Sequence, residues 1–143
     1  MAAPGNDKRS ADAFPYTSHE KQDEAAITDL QVGEASAKID AAELMLRRSV
    51  DEIEASAASS TRMTVERRGR IRRDAGATSR LIWEAVDLLA GASRGSFAYA
   101  GNSMNRLWRD VRVAGLHGGI YPSTTMELFG RILCGKEPNT PFL

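Results

Sequence analysis

The chain has 143 residues, 42% hydrophobic and 27% charged, with no net charge at neutral pH, which describes one ordinary globular domain. A single cysteine, Cys134, excludes an intrachain disulfide and a cysteine-based metal cluster, and the two distant histidines, His19 and His117, offer no zinc-ligand pattern. No apolar run approaches the ~20 residues that span a bilayer, and no basic-then-apolar signal opens the sequence, so the expected location is the cytoplasm.

Residues 1–24 read as a polar leader with two prolines and no apolar period, expected to be disordered or loosely packed, with Phe14 and Tyr16 as its only anchors. From about Ala25 to Ala58, apolar residues recur at steps of three and four: Val32, Ala35, Ile39, Ala42, Leu46, Val50, Ile53 and Ala57. That spacing predicts one long amphipathic helix, and Leu44 and Met45 widen the stripe enough to imply more than one neighbouring helix. Ser56 to Thr61 predicts a turn.

A second long helix is predicted from about Met63 to Ala90 on the stripe Ile71, Ala75, Thr78, Ile82, Ala85 and Leu89, with Gly91 as its stop. Its first half carries Arg67, Arg68, Arg70, Arg72 and Arg73 just after Arg62. Nucleic-acid binding is one reading of that cluster, but aromatic interleaving and a DNA-binding motif are both missing. Residues 1–61 hold 12 acidic and 6 basic side chains, and residues 62–143 hold 7 acidic and 13 basic. Such an asymmetry either attracts a phosphate-bearing ligand to the second half or sets an acidic helix beside a basic one.

Gly91 to Gly101 reads as a loop, after which Asn102 or Ser103 caps a short helix from about 103 to 117. Met104, Leu107, Val111 and Ala114 mark its apolar face, and His117 stands at its end near the Asp110 face. A last helix starts at Pro122, with Met126, Phe129, Ile132 and Leu133 on its apolar side, and ends at Gly135. Lys136 to Leu143 read as an extended tail. With no convincing strand, the predicted fold is all-α: an antiparallel bundle of two long and two short helices over residues 25–135.

Arg106-x-x-Arg109-Asp110 followed by Ala114-x-x-His117 resembles the C-terminal helical domain of the acyl-CoA dehydrogenase fold. Val32 to Leu44 resembles the first long helix of that domain. His117-Gly-Gly-Ile-Tyr-Pro-Ser-Thr-Thr, standing where acyl-CoA dehydrogenases proper carry a Y-E-G-T-like motif, points to the branch of two-component flavin-dependent monooxygenases that hydroxylate aromatic substrates. The resemblance implies FMN or FAD as cofactor, a flavin reductase as partner, and homo-oligomers. It also implies an N-terminal helical domain and a β-barrel that the short leader cannot supply. The chain is therefore expected to be a fragment, a separately encoded piece or a pseudoenzyme, inactive alone and presenting one wall of a flavin pocket.

In that setting His117 is the candidate catalytic residue, hydrogen-bonding the flavin or deprotonating a phenol, against the alternative that it caps its own helix. Arg106 and Arg109 are candidate cofactor-binding residues, against pairing with Asp110 or with a carboxylate on a neighbouring helix that fixes the bundle. Ser123 and Thr124 are candidate ligand donors, against helix capping. No metal is implied. The competing function is a non-catalytic helical interaction module that self-associates through its apolar faces.

Overall fold

The computed structural model describes residues 25–143; the expected leader lies outside the described residues. The helices are α1 (Ala26–Ala58), α2 (Val65–Ala92), α3 (Ser103–Ala114) and α4 (Pro122–Leu133), with a 3-10 turn at Arg94–Ala98 inside the expected loop. The architecture is all-α, as expected. No helix of the described residues is long and apolar enough to cross a membrane.

Local chemistry sets the ends. The Thr64 hydroxyl accepts the Arg67 amide at 3.2 Å and starts α2. The Asn102 side chain accepts the amides of Met104 and Asn105 at 2.8 and 3.2 Å and starts α3. After α4, Gly135 takes a φ of +68°, and the amides of Gly135 and Lys136 bond back to Ile132 and Arg131. Only a left-handed residue closes a helix that way, which is why glycine stands there. Gly91 does not stop α2; the helix runs one residue past it and is capped at Ser93.

α2 is the hub. It packs against α1, α3 and α4, whereas α1 packs against no other helix among the described residues. The second neighbour expected for α1 is therefore absent from this surface. Its contact line keeps Ala35 and Ala42 of the expected stripe, adds Ser49 and leaves out the large residues. The buried positions are Ala35, Ala42 and Ser49, while Val32, Ile39, Leu46, Val50 and Ile53 lie exposed. Small residues let α1 approach α2 closely, and the large apolar residues are rotated outward. α3 is likewise rotated, with Leu107 and Ala114 exposed and Trp108 and Val111 turned inward. On α4, Thr125, Leu128 and Phe129 are buried, while Met126 and Leu133 are not.

Two devices hold the layers. Asp74 on α2 is 1% exposed and accepts bonds from Arg48 at 2.6 Å and Ser49 at 3.3 Å on α1, and from Arg73 at 3.0 Å. The Arg73 guanidinium also lies 4.7 Å from the centre of the Phe129 ring, tying α4 to the same knot. On the opposite face, Gly76 lets α4 close in: a Cβ there would overlap the Thr125 hydroxyl, lie 2.9 Å from Thr125 Cβ and sit 3.3 Å from Pro122 Cα. Four arginines of the cluster are engaged within the fold. Arg67 and Arg70 pair with Glu52 of α1, Arg73 with Asp74, and Arg68 donates to the Leu143 carbonyl. The charge asymmetry thus sets an acidic helix beside a basic one.

Gly76→Ala should destabilise the fold by about 1–3 kcal/mol, because α4 must be pushed away from α2; urea denaturation measures it. Acid should act on the α1–α2 seam. Arg70 holds the Glu52 carboxyl below its ordinary value of 4.5, and Lys38 then Arg80 do the same for Glu84. Depressed carboxyls bind protons more readily in the unfolded chain, so their stabilisation is complete above pH 4.5 and is lost as pH falls through the lower folded values. Glu52→Gln should reduce that acid slope and lower stability at neutral pH.

Candidate functional site

The loop from Gly115 to Tyr121 carries His117, and Trp83 of α2 anchors it. The Trp83 indole donates to the Val111 carbonyl at 3.2 Å and meets the Tyr121 ring edge-on at 6.4 Å. Gly115 lies so close to the indole that any Cβ there would overlap it. Arg112 stacks 5.1 Å from Trp83 and 5.7 Å from Trp108 while donating to Asp87 at 2.8 Å. Trp108 donates to the same carboxylate at 2.6 Å. The end of α3 is thereby fixed on α2, and the loop leaves it in a set direction.

His117 is exposed and lies beyond the helix, which ends at Ala114. Its side chain does not cap α3. Instead, Nδ1 accepts the Gly119 amide at 3.2 Å. An Nδ1 that accepts carries no proton, so in the neutral ring Nε2 bears it and points a donor outward. Gly119 is wedged between two cationic or titratable groups: a Cβ there would stand 3.1 Å from His117 Nδ1 and 3.4 Å from an Arg72 Nη1. Arg72 is half-buried on α2, and its Nε is buried with no hydrogen-bond partner among the described residues.

Below this loop is a polar cleft of about 230 Å³ whose walls include Arg72, Gly118, Thr124, Thr125 and Asn139. Thr124 lines it, and its hydroxyl donates to the Tyr121 carbonyl at 3.0 Å. The N-cap of α4 is Tyr121, which has no side-chain cap, so neither Ser123 nor Thr124 caps the helix. Ser123 is exposed on the first turn. Arg106 lies on the outer face of α3 with a 3.6 Å exposed ion pair to Asp110, four residues on in its own helix. That pair spans no two helices and cannot fix the bundle, a role filled by Arg48, Arg70 and Lys38. Arg109 is also exposed. Among the sequence candidates, then, His117 and Thr124 flank the same loop and cleft, while Arg106 and Arg109 face outward from α3. Arg72 was missed because its neighbours on α2 read equally as cations; only the fold shows which one keeps its guanidinium for the cleft.

The arrangement can orient a ligand by an outward imidazole donor, a guanidinium and a hydroxyl, beside the apolar face of α2. The family model for the acyl-CoA dehydrogenase C-terminal domain matches residues 6–122. No curated protein sequence matches the chain. Among solved structures, XiaF from Streptomyces sp., in complex with FADH2 and glycerol, is 25% identical at a TM-score of 0.87, over 95% of this chain and 34% of that one. The HsaA monooxygenase from M. tuberculosis is 26% identical at 0.75, over 81% of this chain and 30% of that one. The 3-HSA hydroxylase from Rhodococcus sp. RHA1 shares the fold at 0.76 and 24% identity, over 81% of this chain and 31% of that one. The chain thus spans about a third of the length of these solved chains.

The Gly119 amide should report on the imidazole. In His117→Ala its proton resonance should move because the amide loses its acceptor, and Gly119→Ala should weaken that bond by crowding the ring. A Gly119 amide indifferent to the loss of the imidazole would mean the ring turns freely.

Proposed function

Since the chain belongs to the acyl-CoA dehydrogenase C-terminal domain family, we propose that it is the helical C-terminal part of a flavin-dependent monooxygenase and forms one wall of a flavin and substrate pocket. The observation that carries the reading is the superposition of 95% of this chain on 34% of XiaF, a structure described with FADH2, and of 81% of it on 30% of the HsaA monooxygenase. Identity of the flavin, FMN or FAD, is left to the rest of the pocket.

The residues present fit such a ligand in part. Arg72 and the open first turn of α4 offer positive charge and amide donors, His117 Nε2 offers a proton donor, and Thr124 offers a hydroxyl. Reduced flavin, when bound, supplies the oxygen chemistry, and a reductase supplies the reduced flavin. His117 holds its proton at Nε2 and positions the group it faces. The Gly119 amide keeps the ring in that tautomer, and Trp83 keeps the loop in place. Arg106 and Arg109 serve, in this reading, toward another domain or subunit, since they point away from the cleft. One wall cannot exclude water from the reacting atoms, so the chain works with further domains or copies.

Anaerobic titration of labelled chain with reduced FMN and reduced FAD tests this. The amides of Gly118, Gly119 and Thr124 should shift at millimolar flavin, His117→Ala should weaken the effect, and oxygenation with a phenol should give no product from this chain alone. Shifts confined to other surfaces would remove the pocket reading, and hydroxylated product would show that the wall is a complete site.

A further inference from the structure

The gap between α1 and α3 is not filled by the helices that border it. Both pack on α2, and among the described residues neither packs on the other. In the gap lies an open apolar groove of about 310 Å³, walled by Leu46 of α1, Ser79, Ile82 and Trp83 of α2, Val111 of α3 and Ile120 of the His117 loop. Leu46 is 45% exposed there. The groove shares no wall residue with the polar cleft of Arg72. One segment of this chain has the reach and the side chains to cover it. Residues 1–24 lead into Ala25, which is 1% exposed at the start of α1. The family match begins at residue 6, so residues 6–24 are part of the matched unit. Their only aromatic residues are Phe14 and Tyr16, on either side of Pro15. Ala25 to Leu46 is ~32 Å along α1. Phe14 and Tyr16 precede Ala25 by 11 and 9 residues, which reach ~36 and ~30 Å when extended. Pro15 favours an extended Phe14, and residues two apart on an extended chain face the same way, so both rings turn to one side.

We propose that the groove takes Phe14, Pro15 and Tyr16 of the same chain, with the leader laid back beside α1 from Ala25 toward Leu46. The two rings enter between Leu46 and Val111, over Ile82, and cover the apolar walls. Ser79, the hydroxyl on the groove floor, partners the Tyr16 hydroxyl. The match of reach to distance favours the chain's own segment over an outside partner, because a tethered segment binds at high effective concentration when its span fits the site. Docking there also braces Ile120, and with it the loop that carries His117. The contact does not depend on flavin.

NMR on the full, methyl-labelled chain tests it. The methyl groups of Leu46, Ile82, Val111 and Ile120 should show contacts to the ring protons of Phe14 and Tyr16, at every concentration, and none between labelled and unlabelled copies. Phe14→Ala should lower the folding equilibrium constant about tenfold or more, and so should Leu46→Ala. The double variant should lose less than the two losses combined, because the second change removes a contact already gone. Groove methyls without leader contacts, as when the groove is kept for another domain, would overturn the proposal. So would contacts seen only between copies, a Phe14→Ala chain as stable as its parent, or losses that simply combine. Flavin shifts at Gly119 are measured separately, so failure of either reading is seen without the other.

Discussion

Everything in this domain is built on α2, and α2 can be shared because of what it lacks. Gly76 has no side chain where α4 crosses, and Asp74, on another face, is a buried charge around which Arg48, Arg73 and Ser49 close. Breaking one member of a buried charge cluster leaves the others unpaired in a poorly solvated place, a far larger cost than loss of a surface pair. The α1–α2 seam is therefore specified by polar geometry more than by apolar volume. That explains why alanine and serine occupy the buried line of α1.

The same constraint shapes the site. Because α2 accepts α4 at its first half and α3 at its second, the loop between those helices must cross α2 near Trp83. The indole fixes the crossing by overlapping any side chain at position 115. His117 thus extends outward from a rigid support, held by a single amide two residues on, while Arg72 reaches the loop from the hub itself. A proton donor, a guanidinium and an unprotected helix start meet at one edge of an open layer. That edge acts as a wall, since an enclosed pocket would need material on the far side.

Much of this was legible along the chain. The limits of α1 and α4, the Asn102 cap and the Pro122 start follow from backbone hydrogen bonding over a few residues, which nearby side chains control. Which face of α1 would be buried was not legible. Hydrophobicity favoured Val32, Ile39 and Leu46, whereas close approach and the Asp74 knot favoured Ala35, Ala42 and Ser49. The sequence carries two interleaved stripes, and the large one belongs to a surface outside this chain's own core. Ser123 and Thr124 left two readings open, ligand donors or caps, because a hydroxyl at a helix start usually caps; Tyr121 holds the cap position with no side-chain cap, which only the folded chain shows.

By itself the sequence determined an all-α chain, the limits of α1, the starts of α3 and α4, its family resemblance and His117 as the residue to watch, because those depend on local spacing and on residue types in order. Only the tertiary structure decided that α1 keeps its largest apolar residues outside, that Arg72 reaches the His117 loop while Arg106 and Arg109 turn away, and that Gly119 sets which imidazole nitrogen carries the proton. Those choices depend on which surfaces of α2 are already taken, and that competition exists only once the helices are packed.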